Sequence, residues 1–313
     1  MPNAPDQLIH PQLHINSYGS YLRRRFGVRI SKVNVDAGFT CPNRDGSKGT
    51  GGCIYCNNVS FSPKGTLSAV PMEEQMAAGI AYHRIRLGSE KFIIYFQKYT
   101  NTYASVELLS ELYRQALDHP DVIGISVGTR PDSLSDEALD LLTDIARTKY
   151  VCLELGLQSM DDAILDRINR GHTLDDFVVT VNRAAGRNFD ICAHLIHGFP
   201  GESSEEFLKT ADLMAGLPIN SLKLHQLHAV EGTELAELYR CGKFTPLTLE
   251  AYIATIADFL ELLPPRIAIQ RLYGSAPLAI SVAPQWGLKN NQMWYAIVNE
   301  LTKRGSWQGC KAG

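Results

Sequence analysis

The sequence predicts an α/β fold, an incomplete barrel of six strand-then-helix units followed by a helical C-terminal extension. Three observations predict it. Short runs rich in β-branched and aromatic residues alternate with longer amphipathic stretches. No internal repeat, low-complexity tract or long linker interrupts them. One face of several strands carries small and polar side chains where a closed barrel would carry bulky apolar ones. Regular alternation of strand and helix argues for a parallel sheet with helices outside. Six units fall short of the eight that close a barrel, which gives a partial (β/α)6, TIM-like barrel.

Strands are predicted over 31–35, 92–97, 122–129, 151–158, 190–197 and 221–228. Helices are predicted over 72–86, 105–117, 135–148, 161–169, 174–186 and 204–215. From about residue 232 the pattern is mainly helical; Pro264 and Pro265 end one helix, a further candidate strand covers 267–273, and a last helix covers 291–303. The expected organisation is an N-terminal extension (1–28), a barrel (29–230) with a cysteine-bearing loop at 39–62, and a C-terminal extension (231–313) packed on the barrel.

Side chains alternate faces along a strand. Over 151–158, Leu153, Leu155 and Leu157 share one face and should pack on helices, so Cys152, Glu154, Gly156 and Gln158 should face the barrel interior. Over 122–130, Ile123, Ile125 and Val127 share a face opposite Gly124, Ser126, Gly128 and Arg130. The strand from 221 places Lys223 and His225 together. An interior lined this way suits a cavity that holds something polar.

The chain of 313 residues has 45% hydrophobic and 20% charged residues and a net charge of −3, so it lacks the basic excess of a protein that coats nucleic acid. One basic cluster, Arg23, Arg24, Arg25 and Arg29, reads as a solvated face or as a local phosphate patch. The first residues lack the layout of a signal peptide, and no run approaches the ~18 apolar residues of a membrane span, so a cytoplasmic protein with no membrane partner is expected. Seven cysteines, three of them bunched, favour metal binding over disulfides in a reducing compartment.

Those three are Cys41, Cys53 and Cys56, with eleven residues and then two between them, in a loop rich in glycine (Gly46, Gly49, Gly51, Gly52). The loop follows the first strand at its C-terminal end, where α/β barrels place their chemistry. Three thiolates on a four-iron cluster leave one iron open to a small chelating molecule. The alternatives are a zinc site, whose fourth ligand is found neither in the loop nor in the residues just after it and would have to be a distant histidine, and thiols without metal. A zinc-stabilised binding module and a cluster-bearing sensor therefore stand beside an enzyme as classes of function. His225 and His228, three apart on a strand, face opposite ways and make a poor metal pair.

The loop Cys41…Cys53-Ile-Tyr-Cys56 resembles the cluster loop of the radical S-adenosylmethionine (SAM) superfamily, in the long-spaced variant of its elongator-type group. Further resemblances follow in order: Gly128-Thr129-Arg130-Pro131-Asp132, Glu154-Leu155-Gly156-Leu157-Gln158-Ser159, Asn169-Arg170-Gly171-His172, His194-Leu195-Ile196-His197-Gly198-Phe199-Pro200-Gly201-Glu202, and Lys223 to His228 with Glu231-Gly232-Thr233. In the fourth of these Phe199 stands where the group usually has leucine. The resemblance runs from about residue 17 to about 275 and is nearest to the small bacterial YhcC/YtqA-like radical SAM proteins.

The resemblance implies a radical SAM enzyme. Cys41, Cys53 and Cys56 would ligate a [4Fe-4S] cluster whose fourth iron is chelated by S-adenosyl-L-methionine. Tyr55, Ile196 and Gly198 would lie by the adenine, and Gln97 to Asn101 by the amino group. Glu154, with Gln158 on the same face, would reach SAM polar groups, and Arg170 would pair with the SAM carboxylate. Arg130, His194, Lys223 and His225 would face the substrate. The implied reaction draws one electron from a flavodoxin- or ferredoxin-like donor, splits SAM, and abstracts hydrogen from a C–H bond through a 5′-deoxyadenosyl radical. The elongator-type group acts on transfer RNA, which puts RNA among the candidate substrates. No acetyltransferase-like segment is expected after residue 275, so that part of the group's chemistry is not carried over. Each residue also has a plainer reading: Tyr55 as loop packing, Arg170 as a helix C-terminal contact before Gly171, and Gly198 and Gly201 as a tight turn.

Overall fold

The structure is a computed structural model that describes residues 14–57 and 70–313. Residues 1–13 of the expected N-terminal extension and 58–62 of the expected cysteine-bearing loop lie outside the described residues. Seven parallel strands form one curled sheet, ordered as in the chain: β1 (Ile30–Val35), β2 (Lys91–Phe96), β3 (Val122–Thr129), β4 (Tyr150–Gln158), β5 (Asp190–His197), β6 (Ser221–Gln226) and β8 (Ala268–Arg271). Between β6 and β8 the chain makes the short strand β7 (Ala229–Val230), which pairs antiparallel with β9 (Ser281–Ala283). The sheet is thus a half-barrel, and the expected candidate strand at 267–273 extends it past six units.

Helices α2 (Met72–Leu87), α3 (Val106–Leu117), α4 (Asp136–Ile145), α5 (Asp162–Arg167), α6 (Leu174–Ala184) and α7 (Ser204–Gly216) connect the strands. Their starts are set by side-chain caps. Ser105, Ser135, Asp161, Thr173 and Ser203 each accept a hydrogen bond from a backbone N–H of the first turn, and Ser203 with Glu206 completes a capping box. The helix expected to reach 169 ends at Arg167, because Asn169 (φ +54°) and Gly171 (φ +69°) turn the chain toward the site. Beyond β7 come α8 (Glu234–Arg240), α9 (Leu249–Leu262) and α10 (Asn290–Arg304), of which α9 packs on α7 and α10. The main core lies between the outer strand faces and the helices, and Leu153, Leu155 and Leu157 sit in it as expected.

Ile123 departs from the expected alternation. Phe92 pairs with Val122 but Ile93 pairs with Gly124, and this bulge turns Ile123 from the outer core to the lower end of the sheet. That end is stoppered by helix α1 (Tyr18–Phe26), which the sequence reading left inside the N-terminal extension. Tyr18 and Leu22 pack on Ile93, Tyr150, Cys152, Cys192 and Ala268. Asp190 accepts hydrogen bonds from Tyr21 and Tyr150 (both 2.7 Å) and pairs with Arg25 (2.8 Å). Arg24 donates to Asn16 Oδ1 (2.7 Å). Two members of the basic cluster are thereby engaged by acceptors outside the stopper helix, Asn16 and Asp190.

Above the stopper the interior turns polar. Glu154 on β4, fully buried, accepts from Lys32 (β1) and Ser126 (β3, 2.5 Å) on one oxygen and from Lys223 (β6) and His194 (β5, 2.7 Å) on the other. Four donors satisfy a carboxylate that would otherwise be very costly to bury. Burial raises its pKa, but Lys223, Lys32 and His194 outweigh that and hold it well below the usual carboxylate range. His194 is pushed down to about 4, by burial first and by the Lys223 charge next, so it is a neutral imidazole whose Nε2–H donates to Glu154.

Two outcomes follow from this architecture. A Cβ on Gly124 would lie 1.9 Å from the Tyr150 carbonyl oxygen, so Gly124→Ala is expected to destabilise the fold by about 2 kcal/mol or more in chemical denaturation. For His194 the folded pKa lies below the unfolded one, so the unfolded chain takes up the extra proton between about pH 6.5 and about pH 4, and stability falls as pH drops through that window. His194→Gln, which keeps a donor for Glu154, should flatten the stability-versus-pH slope there; an unchanged slope would contradict the assignment.

Candidate active site

The cysteine loop leaves the C-terminal end of β1 and is fastened across the top of the half-barrel to the turn after α5. Asn43 Nδ2 donates to the carbonyls of Asn169 (2.6 Å) and Arg170 (3.1 Å). Asn169 Nδ2 returns a bond to the Gly52 carbonyl (2.8 Å), and Ile54 N–H donates to the Ile168 carbonyl (3.1 Å). Glycine is required at two of these positions. A Cβ on Gly52 (φ +84°) would lie 2.8 Å from Arg44 Nε, and one on Gly171 would lie 2.8 Å from Asn43 Oδ1. Loop and turn are therefore held face to face by two asparagine side chains and one backbone hydrogen bond.

Cys41, Cys53 and Cys56 all open on one cavity at this end of the strands. Burial, then the neighbouring Cys53, pushes the Cys56 thiol up to about 11, so a metal bound there would have to displace its proton. Arg170 Nη1 and Asn43 Nδ2 each lie 3.8 Å from Cys53 Sγ, as hydrogen-bond donors to sulfur. The three sulfurs do not all lie within 4.8 Å of one another. One zinc, with bonds of about 2.3 Å in a tetrahedron, would draw them to roughly 3.8 Å apart. A donor set of three separated thiols with further donors turned toward the sulfur fits a multi-iron cluster better.

The same cavity collects most of the other expected residues. Tyr55 lines it and packs on Phe199 with ring centroids 5.9 Å apart. Arg170 lines it with its guanidinium fixed at the back, Nη2 donating to the Gly156 carbonyl (2.7 Å) and Nε to His172 Nε2 (2.9 Å). Gly156 permits this: a Cβ there would meet Arg170 Nη2 at 2.7 Å. Gln158, at φ +79° where the β4–β5 register slips, and Ile196 complete that wall. Arg130 is clamped by Asp132 through two bonds of 2.9 Å, while its Nη1 is buried without a partner. Asp132 is held at about 2; burial alone would raise it, and Arg130 and Lys48 override that. His194, Lys223 and His225 face the lower part of the cavity.

Two expected residues stand behind the wall instead of in it. Asn101 is buried with its Nδ2 on the Gly128 carbonyl (2.7 Å). Gly198 (φ +103°) packs against Leu247 and donates its N–H to Glu202 (2.7 Å). Glu154 borders the cavity, but its oxygens are taken by the four protein donors. Glu154, Cys192 and His194 also bring ligand atoms within 4.8 Å, yet two ammonium groups already hold that carboxylate. The expectation that His225 and His228 face opposite ways is corrected. β6 ends at Gln226, strand alternation stops there, and both imidazoles reach the cavity.

Sequence reasoning missed Lys32, Tyr95 and Arg271. Lys32 and Tyr95 had a signal in the alternation along their strands, where each faces the interior. Arg271 had only a weak one, because a bulge on β8 decides its direction: Leu222 pairs with Ile269 and Lys223 with Arg271. Three buried polar atoms without partners, Gln97 Oε1, Arg130 Nη1 and His228 Nδ1, belong to residues of the cavity wall. Unpaired buried polar groups are rare in a finished fold, and half of the six among the described residues belong to this wall, which suits a polar ligand.

Comparison with known proteins identifies the family and the fold. The family described as the Radical SAM superfamily matches residues 44–214, and the Radical_SAM C-terminal domain matches residues 219–303. The Bacillus subtilis (strain 168) protein YtqA is 34% identical over 99% of this chain and 96% of its own length. A tRNA uridine(34) acetyltransferase of Methanocaldococcus infernus is 25% identical over 58% of this chain and 34% of that protein. Among solved structures, the archaeal Methanocaldococcus infernus Elp3 with an N-terminal deletion superposes with a TM-score of 0.69 at 19% identity, covering 89% of this chain and 64% of that one. The half-barrel, the three-thiol loop on its upper rim and these matches together place the chain in the radical SAM superfamily.

Proposed function

We propose that this chain holds a four-iron cluster on Cys41, Cys53 and Cys56, binds SAM at the iron left open, and is an enzyme that cleaves SAM reductively to act on a C–H bond. The observation that carries this reading is the one cavity lined by all three cysteines and by three residues that carry unpartnered buried polar atoms. When bound, cluster and SAM supply the electron transfer and the 5′-deoxyadenosyl radical; the electron comes from a flavodoxin- or ferredoxin-like donor.

The chain's own residues bind and orient. Arg170, pinned by Gly156 and His172, offers its guanidinium beside Cys53 to the SAM carboxylate. Gln97, with a free buried carbonyl oxygen, accepts from the SAM amino group. Tyr55 and Ile196 flank the adenine and keep water from it, and Gly198 holds the turn below them. Gln158 borders the ribose. Asn101 acts by fixing the Gly128 carbonyl, and Glu154 by fixing the lysines and His194. Arg130, His194, Lys223 and His225, which line the cavity, face the substrate. RNA is the substrate class supported by similarity to proteins named tRNA uridine(34) acetyltransferases. A changed nucleoside in RNA from a deletion strain would support it, and unchanged RNA would count against it.

Anaerobically reconstituted protein should contain iron and sulfide in near-equal amounts and, with dithionite and SAM, release 5′-deoxyadenosine. Cys53→Ser should lose both while keeping its circular dichroism spectrum. Zinc without sulfide, or a cluster that never cleaves SAM, would sink the reading. Arg170→Met should retain iron but weaken SAM binding by about tenfold or more in equilibrium dialysis, since a buried charge-assisted pair is lost.

A further inference from the structure

The half-barrel has a second opening. It lies between β1 and β8, the two edges of the sheet, and is bordered by α2 and α10. This side cavity and the cysteine-lined cavity share Tyr95, Lys223 and Arg271, so the two spaces meet at these side chains. Whatever enters from the side and reaches toward the thiols passes them.

The junction has a surplus of positive charge. Lys32, Lys223 and Arg271 face it, and Glu154 pairs with the two lysines but not with the arginine. Lys223 also donates to Tyr95 Oη (3.0 Å) and lies 4.1 Å from the centre of that ring. Lys32 is further tied to Gln270 (2.7 Å). The Arg271 side chain makes no hydrogen bond or ion pair among the described residues, although the residue stands beside Lys223 in register on the neighbouring strand. The bulge that skips Gln270 is what turns both Gln270 and Arg271 inward. The two imidazoles do not offset the excess, and burial followed by nearby cations keeps them neutral. Lys223 itself is pushed down to about 8, by burial first and with the Lys32 and Arg271 charges adding to it, despite Glu154. Partly buried cations without a counter-ion are costly, and a bulge that aims an unpaired guanidinium into a passage is a feature of a binding site.

We propose that the substrate carries an oxyanion, a carboxylate or a phosphate, and that Arg271 and Lys223 hold it at the junction of the two cavities. The inference rests on the reading of the upper cavity as the SAM site. The guanidinium fork of Arg271 matches such an oxyanion with two parallel hydrogen bonds, and Lys223 adds a point charge from the next strand. Glu154 keeps Lys223 in place and is not displaced. The oxyanion fixes one end of the substrate below the SAM position, so the C–H bond to be attacked lies on the upper side of that anchor.

The test uses the full-length, anaerobically reconstituted protein with saturating SAM, comparing wild type with Arg271→Gln and Arg271→Lys. Thermal stability is followed as inorganic phosphate or acetate is titrated against chloride at matched ionic strength. Wild type should be stabilised saturably by at least one of the two anions. Arg271→Gln should weaken that effect by about tenfold or more, and Arg271→Lys should recover part of it. Phosphate alone acting would assign a phosphate, and acetate alone a carboxylate. No anion-specific stabilisation of wild type, or an equal effect in Arg271→Gln, would overturn the proposal. Loss of SAM binding in Arg271→Gln would overturn it as well, because the anion held would then be that of SAM. Failure of the SAM reading is seen separately, as wild-type protein without cluster absorbance or 5′-deoxyadenosine.

Discussion

A single buried carboxylate organises the interior of this half-barrel. Glu154 sits at the middle of the sheet and takes donors from β1, β3, β5 and β6. Without them it would be an unpaired buried charge, among the most expensive objects a fold can contain. With them it draws side chains from both sides of the curled sheet to one point. The arrangement divides the interior into an apolar stopper below, built on Tyr18, Leu22 and Tyr150, and a polar chamber above. Replacing Glu154 alone would strand two ammonium groups, so the centre is stable only as a whole.

The upper rim depends on a different constraint, the close approach of two loops. The cysteine loop and the turn after α5 are stitched by Asn43, Asn169 and Ile54, and their glycines stand where a side chain would collide. Stitching of this kind fixes the thiols and Arg170 relative to each other, which is what a ligand bridging metal and guanidinium needs. The loop therefore needs no regular secondary structure to be a rigid platform.

Much of this was legible in the sequence because its signals are local. The strand Val-Cys-Leu-Glu-Leu-Gly-Leu-Gln names its own inner face, and a lone carboxylate between leucines announces a paired charge. Six strands were placed within a residue or two of their positions, and the half-barrel with them. The thiol spacing and the ordered motifs carried the family. What stayed hidden depends on long-range geometry. Ile123 and Arg271 are turned by bulges, which register with a neighbouring strand decides. Helix α1 has only two buried residues, too few for a periodic pattern, and is held by tertiary contacts to Asp190 and Tyr150. Lys32 on β1 gains its meaning only from Glu154, more than a hundred positions later.

The central claim is that three thiols leave one iron of a four-iron cluster open. Mössbauer spectroscopy of protein reconstituted with iron-57 measures this directly. The account predicts that adding SAM changes the signal of one iron in four and leaves the other three alike. Four irons that do not respond to SAM, or a colourless protein holding zinc, would contradict it.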